Sequence, residues 1–326
     1  MPGFQTYTKR HLESALRQIE QAVYSVVAPL EIRAWWSREP LPYAERTSGV
    51  EKALSVGDKW GDLFDCAWFH FTGQVPASAA GQHVVLLLDV SGEMCVYDPQ
   101  GVPARGLTNV SSTYDYSLGR PGKRVLQVTP RAQGGERIDV WADAGCNDLF
   151  GNLQGNGTVV EAAIAICHDG ARALYYDFEV LLDFLKVLPE DAPRGQQILT
   201  ALNDAIHLLY GGLPGVAAQA RGVLAPLLAQ RGGDPSLRIS AVGHAHMDLA
   251  WLWPIRETIR KGARTFSTAL ELMDRYPDYV FGASQPQYVL WMKEHYPALY
   301  ARIWEKVQEG RIEPQGAMWV EADTNV

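Results

Sequence analysis

The first ten residues of this 326-residue sequence, Met1-Pro-Gly-Phe-Gln-Thr-Tyr-Thr-Lys-Arg10, contain no apolar core of the kind that marks a chain for secretion. The cytoplasm is therefore the expected compartment. Long apolar runs are missing as well: Val84-Val-Leu-Leu-Leu-Asp-Val90 is far too short to span a bilayer and reads as a buried strand. No cluster of Lys and Arg stands out, and a formal net charge of -8 disfavours nucleic acid and anionic membrane as partners. Cysteine is scarce. Cys66, Cys95, Cys146 and Cys167 are widely spaced and form no Cys-x-x-Cys pair, which points to buried free thiols and away from a disulfide or a cysteine metal cluster. What the chain does have is length and 47% hydrophobic residues, enough for a large core and more than one domain.

Its organisation follows from changes of period. Leu12, Leu16, Ile19 and Val23 recur at helical spacing and predict one amphipathic helix over 7–27, packed on a later domain. From 60 to 168, short β-rich runs at 67–75, 84–90, 93–98, 124–129, 137–142 and 158–168 alternate with Gly, Pro and Asn, as in an antiparallel, jelly-roll-like β-sandwich. Helical periods return at 174–188, 195–209 and 216–230, and Gly232-Gly-Asp-Pro-Ser236 marks a boundary. The expected division is a helical segment and linker (1–59), a β-sandwich (60–169), a helical connector (170–236) and the first βα units of a parallel β/α barrel (237–326).

The chemistry concentrates in Val242-Gly-His244-Ala-His246-Met-Asp248-Leu-Ala-Trp251-Leu-Trp253-Pro. On a strand, His244, His246 and Asp248 share one face, and imidazole with carboxylate suits a borderline divalent ion such as zinc. The competing reading makes the two histidines half-buried strand residues and Asp248 a turn cap. Trp251 and Trp253 add flat apolar faces suited to a sugar. Strand–helix units recur at 279–308 and from 312 onward, and their strand exits carry Ser284, Gln285 and Gln287, then Glu321, Asp323 and Asn325. In parallel folds functional groups gather at those carboxyl ends. Taken alone, Glu321 and Asp323 also fit a solvated acidic loop.

Gly243-His-Ala-His-Met-Asp-Leu-Ala-Trp-Leu-Trp-Pro254, Gly282-Ala-Ser-Gln-Pro-Gln287 and Met318-Trp-Val-Glu-Ala-Asp-Thr-Asn325 together resemble glycoside hydrolase family 38, the class II α-mannosidases, in the branch with cytosolic and bacterial members. The resemblance implies that His246 and Asp248 are zinc ligands, that Trp251 is an aromatic wall, and that Asp323 is both catalytic nucleophile and metal ligand. It sets His244 aside. It also implies a mannose-containing oligosaccharide as substrate, cleaved with retention, for which a second carboxyl group about 5 Å from the nucleophile protonates the leaving oxygen.

In that family the fourth metal ligand and the acid/base lie further downstream. The expectation is therefore an N-terminal portion of a longer enzyme, inactive alone, whose unfinished sheet favours a homo-oligomer. Two other readings compete: a metal-dependent carbohydrate deacetylase, in which metal-bound water attacks, and a carbohydrate-binding or assembly module carried by the β-sandwich.

Overall fold

The computed structural model describes residues 2–109, 120–189, 191–231, 236, 238–315 and 318–321. Helix α1 (Pro2–Gln21) opens the chain. Ten strands follow: β1 (Tyr24–Pro29), β2 (Glu31–Ser37), β3 (Val50–Leu54), β4 (Cys66–Gln74), β5 (Val84–Asp89), β6 (Glu93–Tyr97), β7 (Pro103–Leu107), β8 (Val125–Thr129), β9 (Arg137–Gly145) and β10 (Glu161–Cys167). They pair antiparallel into a four-stranded sheet, β1-β10-β5-β8, and a six-stranded sheet, β3-β2-β4-β9-β6-β7. Alternation sets what each face meets. Val84, Leu86 and Leu88 of β5 enter the core between the sheets with Phe69 and Phe71 of β4, whereas Val85 and Leu87 point the other way, onto Val125, Ala165 and Cys167. Full burial of a side chain such as Leu86 or Phe69 stabilises by about 1.5–3 kcal/mol. This is the antiparallel sandwich expected from the β-rich grammar.

Two expectations need correction. The N-terminal helix ends at Gln21 and does not reach 27, because Tyr24, Ser25 and the β-branched Val26 pair along β10 and Pro29 cannot continue a helix. Residues 1–59 are therefore not helix and linker alone: β1, β2 and β3 join both sheets, and β2 buries Ile32 and Ala34 on alternate positions. The edge strand β7 also escaped the sequence pattern, since Pro103 and Gly106 read as loop; Pro103 stands first in the strand, where its missing N–H is tolerated.

Helices α2 (Asp169–Val187), α3 (Pro193–Leu209) and α4 (Ala217–Leu228) come next. Their apolar stripes share one core with Leu12, Ala15 and Ile19 of α1, so the first helix packs on the connector helices. None of the described helices is long and apolar enough to cross a membrane.

The last stretch holds β11 (Gly243–His244), α5 (Ile255–Arg275), β12 (Phe281–Ala283), α6 (Pro286–His295), α7 (Pro297–Gln308) and β13 (Ile312–Pro314). The strands form a small parallel sheet in the order β11-β12-β13. The helical run toward 308 is two helices, because Tyr296 is driven out of the helical region by Pro297.

Helix α5 is buried on two sides. Ala263, Phe266, Leu270 and Met273 pack over Phe281 and Ile312 of the parallel sheet. The other side carries Glu257, Arg260, Lys261 and Arg264, which meet the sandwich in an ionic cluster. Arg260 pairs with Asp143 and Glu257, Lys261 with Glu93, and Arg264 with Glu93 and Glu257. Burial pushes the Glu257 carboxyl up, but Arg264, Arg260 and Lys261 outweigh it and hold the acid well below its ordinary range. Burial also opposes the charge on Arg260, and Asp143 and Glu257 overcome it.

Candidate active-site rim

Gly243 aligns with Phe281, Phe281 with Ile312, and Ala283 with Pro314, so the three parallel strands end at one rim. The segments leaving them are cross-linked. Gln285, 5% exposed, stands just after β12 and donates through Nε2 to the Met247 carbonyl at 2.7 Å and toward Glu321 Oε2 at 3.3 Å. Its Oε1 accepts from the Glu321 amide at 3.2 Å. A single buried amide therefore ties the exits of β11 and β13. Tyr288 adds a second tie, its hydroxyl donating to the Asp248 carbonyl at 3.1 Å. Burial, then the nearby Asp248 and Glu321 charges, push that phenol up and keep it protonated as a donor. The Gln287 amide donates to the Trp319 carbonyl at 3.3 Å and the Trp319 indole donates back to Gln287 Oε1 at 2.8 Å.

On this frame sit the polar groups singled out by sequence. His246 Nε2 lies 3.3 Å from Asp248 Oδ1, and His246 Nδ1 lies 3.5 Å from Glu321 Oε2. His246 is two-thirds exposed and the two acids about two-fifths, so the trio opens to solvent. Trp251, in the loop between β11 and α5, is exposed, as is Trp319 across the rim. Trp253 is held instead: its indole donates to Thr258 Oγ1 at 2.9 Å, and Lys261 lies over its ring. Asp323 and Asn325 lie outside the described residues.

His244 does not join the trio. Its Nδ1 lies 3.1 Å from the Gly282 carbonyl, and the ring lines a cavity of about 470 Å³ beside Arg105 and Arg264. Equal spacing along a strand predicted a shared face for His244 and His246, but β11 stops at His244, so the ladder geometry that would hold the two in line does not extend to His246. Gln285 was visible only as one polar residue at a strand exit. Nothing local marked Tyr288, because its partner is a backbone carbonyl 40 residues earlier.

An N/O donor set with a His and an acid 3.3 Å apart is the right size for one ion bonded at about 2.0–2.2 Å to each. With Glu321 facing Nδ1, a proton held there leaves the Nε2 lone pair pointing at the Asp248 carboxylate, an arrangement that a cation relieves.

Comparison with known proteins agrees in both halves of the chain. Residues 28–172 match the alpha-mannosidase jelly roll domain, and residues 236–326 match the glycosyl hydrolases family 38 N-terminal domain. Alpha-mannosidase 2C1 of Homo sapiens is 34% identical over 300 residues, 88% of this chain and 28% of its own length. Alpha-mannosidase G of Dictyostelium discoideum is 28% identical over 300 residues, covering 88% of this chain and 27% of its own length. The alpha-mannosidase of Saccharomyces cerevisiae is 27% identical over 302 residues, 84% of this chain and 26% of its own length. The chain thus spans about 28% of the first of these relatives. With the jelly roll match, the family 38 N-terminal domain match and these relatives in agreement, the chain belongs to glycoside hydrolase family 38.

Proposed function

We propose that this chain supplies the first wall of the active site of a metal-dependent, retaining α-mannosidase, the start of a parallel β/α barrel, acting on terminal α-mannosidic bonds of oligosaccharides. The observation that carries the reading is the convergence of His246, Asp248 and Glu321 at the common exit of three parallel strands. His246, Asp248 and Asp323 are the residues proposed to hold a divalent ion of the zinc type. When bound, that ion supplies positive charge to grip vicinal sugar hydroxyls.

The protein's own groups do the rest. Asp323 is the proposed nucleophile, attacking the anomeric carbon to form a glycosyl-enzyme that water then releases. Trp251 offers its exposed indole as an apolar wall for a sugar face. Glu321 faces Nδ1 of His246 at 3.5 Å and orients the ring, and Gln285 and Tyr288 set where the two loops stand. The proton donor for the leaving oxygen belongs to the portion of the relatives that this chain does not span. We place the protein in the cytoplasm, because all four cysteines are free and buried.

The test uses the polypeptide extended to the length of its relatives. An activated, mannose-configured fluoro-sugar should label the peptide containing Asp323, and His246→Ala or Asp248→Ala should remove metal and activity together. Residues 1–326 alone should be silent on aryl α-mannosides. A label on another residue, or full activity in a metal-free Asp248→Ala protein, overturns the assignment.

A further inference from the structure

On elements other than those that form the rim, a second set of donors converges where the sandwich meets the connector helices. His83 immediately precedes β5, Cys167 closes β10 and Asp169 opens α2. The antiparallel register sets Ile166 opposite Val84, and the Cys167 amide donates to the His83 carbonyl at 2.8 Å, so strand pairing itself brings the side chains together. His83 Nδ1 lies 3.0 Å from each oxygen of Asp169, and Cys167 Sγ lies 3.8 Å from Asp169 Oδ1. The three ligand atoms all lie within 4.8 Å of one another. An ion bonded at about 2.0–2.3 Å in a tetrahedral site holds its ligand atoms roughly 3.2–3.8 Å apart, so this set is close to the required size without backbone movement.

Proton placement points to the same conclusion. His83 Nε2 faces Gln127 Oε1 on β8 at 2.5 Å, and an acceptor oxygen there asks Nε2 to carry the ring proton. With its ring neutral, as a metal ligand must be, His83 presents the Nδ1 lone pair to the Asp169 carboxylate, which is an electron-pair donor too. A cation among the three resolves that conflict, and an outer partner that fixes the tautomer is how histidine ligands are commonly oriented. Thiolate, imidazole and carboxylate together favour a zinc-like ion over magnesium or calcium. Cys167 is buried, His83 is mostly so, and the Asp169 carboxylate is 59% exposed, which leaves one side for water as a fourth ligand. A thiol binds a metal as thiolate, so binding at Cys167 displaces its proton to solvent. Arg172, 3.4 Å from Asp169, is the cation that competes.

We propose that His83, Cys167 and Asp169 form a structural site for a zinc-like divalent ion, distinct from the His246–Asp248 rim, that fastens the start of α2 to β5 and β10.

Cobalt(II) is the probe, added to residues 1–326 with thiols reduced at mildly alkaline pH. One equivalent should produce a thiolate-to-cobalt charge-transfer band in the near ultraviolet, displaced by zinc, with a rise in Tm. Cys167→Ser should abolish the band while circular dichroism stays native. Asp169→Asn, a change at an exposed position, should weaken binding by at least about tenfold. Asp248→Asn should leave the band intact, because no cysteine lies among the described rim residues. A folded wild-type chain with no sulfur-derived band at saturating cobalt overturns the proposal, as does a band that survives Cys167→Ser. Cobalt binding without that band and lost in Asp248→Asn assigns the ion to the rim and equally refutes this site.

Discussion

Arg260 on α5 grips Asp143 on β9 with two hydrogen bonds, Nη2 to Oδ1 at 2.6 Å and Nε to Oδ2 at 2.9 Å, and both side chains are under a tenth exposed. This fork fixes the helix that packs on the parallel sheet to the sandwich that precedes it. Truncating one partner leaves the other charge buried and unpaired. Arg260→Ala should therefore cost about 3–5 kcal/mol in urea unfolding, whereas the pair replacement Arg260→Met with Asp143→Leu should recover much of that loss. A single-variant loss under about 1 kcal/mol, the range of a surface pair, contradicts the burial of this contact.

The same cluster makes stability depend on acid. Glu257 is held below its ordinary 4.5 in the folded state, so near and below that value the unfolded chain binds more protons. Its contribution is complete above 4.5 and is lost as the pH falls toward the lower folded-state value. Urea midpoints should stay level from about pH 7 to about pH 5 and then decline. Glu257→Gln should lower the neutral plateau and flatten the acid limb; an unchanged limb excludes Glu257 as its source.

Gln285 should matter more than its uncharged side chain suggests. Gln285→Ala removes the acceptor for the Glu321 amide and the donor for the Met247 carbonyl, an expected cost of about 1–3 kcal/mol. Hydrogen exchange should quicken at Glu321 while core amides of β4 and β9 stay protected. Unchanged protection at Glu321 argues against Gln285 as the tie between the two exits.

Gly262 tests how closely α5 approaches α6. In a solvated helix, Gly→Ala stabilises by about 1 kcal/mol. Here a Cβ would lie 2.9 Å from both Met292 Cε and Tyr288 Cδ1. Met292 has a flexible end, but the Tyr288 ring is anchored through its hydroxyl to the Asp248 carbonyl. Gly262→Ala should lower Tm, with a cost of about 1–3 kcal/mol. A rise in Tm contradicts the predicted crowding.

Much of the fold and part of the rim were legible because their causes are local. The β-rich run at 67–75 and the short continuous apolar run at 84–90, each bounded by turn residues, mark strands, the second buried on both faces. His246 and Asp248 are two residues apart, so any extended or turning backbone keeps them neighbours, and their observed approach needed little tertiary information. The motif residues in 243–325 also carried the family resemblance. Strands β1, β2 and β3 were less legible, because they are short or follow a helical stripe without a break in composition.

The remaining features depend on distant partners. Glu257, Arg260, Lys261 and Arg264 read along the chain as an ordinary charged helix face, yet they are buried because β6 and β9 bring Glu93 and Asp143 to them. Gln285 and Tyr288 become ties only when neighbouring strands place carbonyls and an amide within reach. His83 and Cys167 look like unrelated residues until β5 pairs with β10. Sequence determined the periodicity, the ligand types and the family, because those are written in residues close together in the chain. Tertiary structure alone decided which charges are buried and which donors converge, because burial and hydrogen-bond reach depend on segments that only folding brings together.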